Sequence, residues 1–583
     1  MVAHEIVTSL IYVQEGHSLL TRVTWTLQQI EELEKLATEK KVFVRKATGL
    51  VREIGFWTAA IIVFCNVVGL GWQKRVFQFT GPAIVPESSW VMGIPPVTMS
   101  FMIVGVCVLL TVFMFAVLSA AMPRSGGGYV YISRITHPVV GFLASWLEYF
   151  SITVSWGQIG TAVFEAITIY SWLAGWSANW YSPEVGLIGG MIIVIVFAGI
   201  AYFGASMTGR ILQIMFWIPA CITIILYFFM LSATPAIMEA GVKTLTGLTP
   251  TQFTQMALDQ GMATSYSGGY WGAMAAATLG TYWAFIGFAA STFVGGEVKE
   301  AGKALPKTLF AANIIIILLY TTISYVSSHA AQLVGKIGDY SFFSAYAFLS
   351  YGPHTGPGLP AGVGRAWMPS IAGFSAAGMG ATWFLAIIPI FAVLWVANDI
   401  PPFIITSSRI IFAMSFDRVL PEKLSEVNER WHSPTNAIIV TMVIAFIGCF
   451  CESDILVKYL PGQWITAYIN SGGGVAATDI WDTLFFVLSS FAGMLLVFRR
   501  NDIYEKSPFK PGRWLVAGIG LIATVADLYL LYLVALGYGS AMEPWIFTVF
   551  MLVVGAIIYY YYRTKGSRVG VDYATIYTEI PPE

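Results

Sequence analysis

IGFWTAAIIVFCNVVGLGWQKRVFQF, residues 54–79, is the stretch whose reading decides the fold. It begins as an apolar helix directly after Arg52 and Glu53. It then carries Asn66, Gly69 and Gly71 at mid-membrane depth, with Lys74 and Arg75 one turn later. A helix that only anchors a protein has no use for this pattern. Glycines in an apolar span pack closely against a neighbouring helix. Alternatively, the helix is broken at Val68–Trp72 and leaves bare backbone donors and acceptors at a binding site.

The rest of the chain supplies the setting. It has 583 residues, 57% hydrophobic and 11% charged, against about 25% charged in ordinary soluble domains. Apolar runs of about 20 residues recur, so this is an all-α polytopic membrane protein in a lipid bilayer. A formal net charge of -1 speaks against nucleic-acid binding. The five cysteines (Cys65, Cys107, Cys221, Cys449 and Cys451) lie in or beside apolar runs without ligand-pair spacing. They read as small apolar packers, so no metal and no cofactor is expected. No signal peptide is visible before the first long apolar run. Residues 24–41 read as an amphipathic helix with Leu27, Ile30, Leu33 and Leu36 on one stripe.

Twelve spans follow, at 54–79, 98–121, 139–165, 185–203, 211–232, 271–294, 308–331, 378–400, 435–452, 480–498, 514–537 and 545–562. With the N-terminus in the cytoplasm, 25 of the 31 Lys and Arg fall on the inner side. Four fall in outer loops, and Lys74 and Arg75 remain. The positive-inside rule accepts this orientation and rejects its inverse. It places the protein as a multi-pass plasma-membrane protein with both termini cytoplasmic. Residues 233–270 and 332–377 are long outer loops, either caps over a vestibule or solvated insertions.

Span 6 has its own mid-depth glycine, in Phe285-Ile286-Gly287-Phe288. It lies five spans after the first, so the two cross in opposite directions. Glycine-interrupted spans at matching places in two halves mark an inverted repeat. Unwound backbone is tolerated in a bilayer only where it is buried in protein or lines a cavity. Half-helix N-termini attract a carboxylate and half-helix C-termini an ammonium, which suits a zwitterion.

Three further segments carry a resemblance. Met122-Pro123-Arg124-Ser125-Gly126-Gly127-Gly128-Tyr129 follows span 2. Gly287-Phe288 leads through Glu297-Val298-Lys299-Glu300 to Leu305-Pro306. A third run extends from Ser408-Arg409 through Ala413-Met414 and Asp417 to Leu420-Pro421, read here as a loop. Together they resemble the signatures of the amino acid–polyamine–organocation (APC) permeases. The resemblance implies the LeuT-type fold: a 5+5 inverted repeat, two extra C-terminal helices and alternating access. Two departures stand out. Phe288-Ala289-Ala290 follows Gly287 where the family usually has a polar residue or Glu. Asn66-x-x-Gly69-Leu70-Gly71-x-x-x-Arg75 also resembles the sodium-coupled neurotransmitter symporters. The expected division is a tail at 1–53, a first five-helix repeat at 54–232, an outer loop at 233–270, a second repeat at 271–498, two extra helices at 499–562 and a tail at 563–583.

These readings name a site. Val68, Gly69, Leu70 and Gly71 offer backbone groups to a carboxylate, and Ala284, Phe285, Ile286 and Gly287 offer carbonyls to an amine. Glycine lets the backbone leave helical geometry and lets a ligand approach. Trp283, Phe285 and Phe288 form an aromatic wall, with Trp156 and Trp395 as further contributors; many such rings in an aromatic-rich chain only pack. Between Phe384 and Ile405 there is no Ser or Thr. This argues against a sodium site, since sodium wants oxygen ligands. Protons are the expected coupling ion. The candidate acids are Glu148, inside span 3, and Asp399, expected near the inner end of span 8 where water reaches it. An ionisable group inside a bilayer is a functional candidate by default. Lys74 and Arg75 either snorkel at the outer surface or form a gate with Asp479 or Asp482. Glu165 reads as interfacial. Glu297, Lys299, Asp417 and Arg418 either latch the inner side or sit in solvated loops.

The expected function is secondary active transport of amino acids, by proton symport or exchange. Transport of polyamines or other organocations is the alternative in the same class. A transporter-like receptor is the rival from another class. An enzyme is disfavoured, because the chain has no His cluster, P-loop, G-x-S-x-G or zinc-ligand spacing.

Overall fold

The computed structural model describes residues 48–176, 180–264, 266–470, 473–539 and 541–582. The amphipathic segment expected at residues 24–41 lies outside them. Twelve helical segments are long and apolar enough to cross a bilayer. They are span 1 (Phe56–Ala83), span 2 (Pro96–Ala121), span 3 (Pro138–Ser171), span 4 (Pro183–Tyr202), span 5 (Ala205–Leu231) and span 6 (Gly269–Phe293). Span 7 (Ala301–Gln332), span 8 (Thr382–Phe416), span 9 (Thr435–Ser453), span 10 (Ala477–Arg499), span 11 (Arg513–Gly537) and span 12 (Glu543–Arg568) follow. Among the described residues there is no strand, only three isolated β-bridges. The all-α architecture of twelve spans is the one expected.

Burial separates the spans. Spans 1, 3 and 6 are enclosed, while spans 4, 5, 11 and 12 turn large apolar side chains such as Ile195, Ile224, Leu521 and Ile557 outwards. In a bilayer the exposed faces meet lipid, and the enclosed spans are free to carry irregular backbone.

Span 8 departs from expectation. Pro401-Pro402 read as a stop, yet the helix runs on to Phe416. The chain turns at Asn398-Asp399 and a new helix, Ile400–Phe416, starts there with proline in its first turn. First-turn amides have no intrahelical acceptor, so proline loses nothing there. Asn398 and Asp399 are therefore buried within the span rather than at its watery end. The Ser408–Phe416 part of the third motif is helix rather than loop. Span 10 likewise starts early, as a helix over Gly473–Arg499, which carries Asp479 and Asp482 inside it. Span 11 holds a further acid, Asp527, which accepts hydrogen bonds from Thr111 at 2.7 Å and Ser490 at 2.6 Å.

The two long loops are caps. They fold as helices Pro235–Thr246, Pro250–Asp259, Phe342–Tyr351 and Met368–Gly378. Phe342, Phe348, Trp367 and Phe374 are buried there, and the Phe342–Tyr351 helix packs on the end of span 1. These caps close the far face, opposite the loops rich in Lys and Arg.

Candidate functional site

Span 1 is helical from Phe56 to Val67. Val68 then leaves helical geometry (φ -87, ψ 81), and the chain resumes as a wide π-helical turn, Gly71–Arg75. Such turns appear mostly at functional sites. Span 6 is helical from Gly269 to Phe285, extends at Ile286 (φ -54, ψ 137) and turns through Gly287 at φ +99. That φ is accessible to glycine without strain. The breaks touch. A Cβ on Gly287 would lie 2.5 Å from the Asn66 carbonyl oxygen, and one on Gly71 would lie 2.5 Å from Ala284 Cα.

Broken helices leave carbonyls without partners, and side chains of neighbouring spans take them up. Tyr320 of span 7 places its hydroxyl 2.6 Å from the Val67 oxygen and 3.0 Å from the Ala284 oxygen, so its one proton serves both breaks. Gln73 Nε2 donates to the Gly69 oxygen at 3.0 Å, and Asn313 Nδ2 to the Phe288 oxygen at 3.1 Å. None of these three was singled out from sequence. Each is an ordinary polar residue in an apolar span until the distant backbone it serves is known.

Two small spaces lie at the breaks, each about 10 Å³, room for one water molecule. One is lined by Asn66, Glu148, Gly287, Phe403 and Asp482. The other is lined by Asn66, Gly71, Ser155, Trp283 and Asp399. Ile286 borders both. The expected wall is only partly here. Trp283 faces the second space, but Phe285 packs on Phe101 and Tyr320, and Phe288 stacks on Phe486 at 4.3 Å. Trp156 is fully buried. Trp395 faces a crevice of about 740 Å³ between spans 1, 5, 7 and 8 and bonds Thr223, away from the breaks.

Three acids surround the breaks. Glu148 and Asp482 face the same small space. Tyr282 donates to Asp482 Oδ2 at 3.1 Å, whereas Glu148 Oε2 and Asp482 Oδ1 receive no bond from any hydroxyl or amide among the described residues. Asp399 lies on the break of span 1 itself. A Cβ on Gly69 would fall 1.8 Å from Asp399 Oδ2, and the Leu70 amide interacts with this carboxylate.

Above the breaks, on the far face, Lys74 and Arg75 are buried. Lys74 pairs with Glu165, and with Glu452 at 3.3 Å; Arg75 pairs with Glu452 at 3.1 Å and covers the Trp283 ring at 5.1 Å. The partners expected from sequence, Asp479 and Asp482, are engaged elsewhere: Tyr538 donates to Asp479, and Tyr282 to Asp482. Glu165 is thus an ion-pair partner rather than an interfacial residue. Glu452, in the last turn of span 9, was missed because nothing in Cys449–Ser453 signals a gate.

On the basic face, Glu297 binds Arg409 bidentately at 2.8 and 2.9 Å. Asp417 binds Arg134 at 2.6 Å and accepts from Tyr129 at 2.7 Å. The Ile54 amide donates to the Glu297 carbonyl and the Lys299 amide to the Ile54 carbonyl, both at 2.9 Å, tying the entry of span 1 to the exit of span 6. Glu297 and Asp417 thus belong to a buried ion-pair cluster rather than to solvated loops. Its cations are Arg409 and Arg134; Arg418 pairs with Glu422 instead, and Lys299 contributes its backbone.

Two broken spans meet at the centre of this helical membrane protein, with buried ion pairs toward both faces, an arrangement that suits a permease. Comparison with known proteins agrees. The amino acid permease family model matches residues 54–557, and the chain belongs to that family, within the APC permeases. The branched-chain amino acid permease BcaP of Bacillus subtilis (strain 168) is 24% identical, covering 89% of this chain and 94% of its own. The glutamate/serine transporter AimA of the same strain is 20% identical, covering 89% and 83%. The methylthioribose transporter of that strain is 21% identical, covering 90% and 95%. The family is one of transporters, not enzymes.

Proposed function

We propose that this protein carries amino acids across the plasma membrane by alternating access, with both termini in the cytoplasm. The observation that carries the reading is the meeting of the two breaks. Gly71 of span 1 and Trp283 and Ile286 of span 6 line one small space at the breaks, which fits the carboxylate and ammonium of one zwitterion. The amino acid permease family and relatives such as BcaP and AimA support the substrate class. A 5+5 inverted repeat accounts for two oppositely directed breaks at the same depth. The basic loops favour the cytoplasmic assignment of their face.

The closed state has room for a water at the breaks and none for an amino acid, so binding requires one ion-pair cluster to open. The Lys74–Arg75–Glu165–Glu452 cluster is the outer gate in this reading, and the Arg409–Glu297 and Arg134–Asp417 pairs form the inner latch. Coupling is to protons. Two carboxyl groups, Glu148 and Asp482, face one small space beside Gly287 with only Thr406 as a hydroxyl from span 8, a setting that suits a proton better than a sodium ion.

Uptake into proteoliposomes driven by a pH gradient without sodium tests this. The expected result is proton-driven accumulation that Glu148→Gln removes, with exchange retained. Uptake that needs sodium and ignores protons contradicts the coupling. Accumulation of polyamines in place of amino acids supports the organocation alternative instead.

A further inference from the structure

The transport reading leaves Asp399 without a role. Its carboxylate sits where Gly69 has no side chain, against the Leu70 amide. In the empty carrier, a side chain of span 8 therefore occupies a backbone donor of span 1, the Leu70 amide, that is suited to a carboxylate. Asp399 is buried at 4% exposure, and its Oδ1 has no hydrogen-bond partner among the described residues. It borders the same space as Gly71, Ser155 and Trp283.

No cation explains its presence. The titratable groups that face it are Cys65 of span 1 and Tyr320 of span 7, and neither is a base. Span 3 presents Ser155 and Ile159 to its space, span 6 presents Trp283 and Ile286, and Phe403 of its own span completes the wall. The neighbouring space beyond Asn66 holds Glu148 and Asp482, which are further acids. Lys74 and Arg75 are committed to Glu165 and Glu452.

Resting on the transport reading, we infer that Asp399 is an internal stand-in for the substrate's carboxylate. It holds the Leu70 amide in the empty carrier and yields it, with a proton taken up, when an amino acid binds. Two carboxylates in one desolvated cradle repel, and only one can use that amide. Protonation removes the repulsion. The proton comes from water on the open side, and no bond other than O–H forms or breaks. Each substrate carboxylate bound then requires one proton on Asp399. Affinity for an amino acid falls as pH rises, by up to about tenfold per pH unit once Asp399 ionises. An amine without a carboxylate meets the opposite charge balance, and its affinity rises over the same range.

The test is a pH series of binding to the purified full-length protein between pH 5 and 9. The probes are leucine and its decarboxylated amine, and wild type is compared with Asp399→Asn. The inference expects opposite slopes for the two probes in wild type and, in Asp399→Asn, a leucine profile that loses the part of the slope carried by Asp399. Should the variant fail to fold, the paired wild-type slopes decide. Leucine affinity independent of pH in wild type, or a wild-type slope retained in Asp399→Asn, overturns the inference and leaves the transport reading intact. If wild type binds neither leucine nor any other amino acid tried as a probe at any pH, both fall together. Binding of the amine alone, at constant affinity, identifies Asp399 as a permanent counter-ion and also overturns the inference.

Discussion

Tyr320 holds the centre together. Its hydroxyl is the donor within reach of both Val67 and Ala284, one carbonyl from each broken span. Tyr320→Phe leaves two buried carbonyls without that donor, a cost of about 1–3 kcal/mol. We predict a lower Tm for the variant in detergent and a smaller rise in Tm on adding substrate, because the breaks lose their common tie. An unchanged substrate-induced rise would show that the tie does not support binding. The glycines were legible in sequence, since Gly69, Gly71 and Gly287 interrupt apolar runs and glycine alone permits that approach. Tyr320 was not. It is 253 residues from Val67, and nothing local distinguishes it from the chain's other buried tyrosines. Asp399 was visible as an acid, but its depth was misjudged because the prolines after it looked like an end.

At the scale of elements, two ion-pair clusters clamp the spans. For Lys74 and Arg75 the sequence named Asp479 or Asp482 as partners, whereas the structure pairs them with Glu165 and Glu452. Charge and depth alone favoured Asp479 and Asp482 over Glu165 and Glu452, and only packing decides which helix faces Arg75. Breaking a buried ion pair from one side costs about 3–5 kcal/mol, because the other charge is stranded. Glu452→Gln removes the ion-pair partner of Arg75, which keeps its hydrogen bond to Gln78, and one of the two partners of Lys74, which keeps Glu165. The variant is expected to favour the state open on the far face. A cysteine placed at Ser155, below the gate, then reacts faster with a membrane-impermeant thiol reagent added from that side, in a background without the native cysteines. An unchanged labelling rate would mean that the cluster is structural only. The span boundaries illustrate the same lesson. Apolar length located every span, but helix ends at Phe416 and Ser171 depend on partners such as Glu297 for Arg409 that hydropathy does not register.

At the scale of the molecule, the enclosed spans 1 and 6 carry the breaks and enclosed span 3 carries Glu148, while the outward-facing spans 4, 5, 11 and 12 present the exposed apolar faces. The count of twelve and the charge asymmetry were readable from composition, because a bilayer imposes both. The closure of both faces was not, because it depends on the loop helices and on contacts between distant segments. The central claim is that an amino acid passes through the space between the two breaks. Counterflow in proteoliposomes tests it most directly: vesicles loaded with one unlabelled amino acid take up the same labelled amino acid from outside. The account predicts accelerated uptake for at least one amino acid in wild type and its loss in Gly287→Ala, where a Cβ would collide with the Asn66 carbonyl. No acceleration with any amino acid, or full exchange in Gly287→Ala, would contradict it.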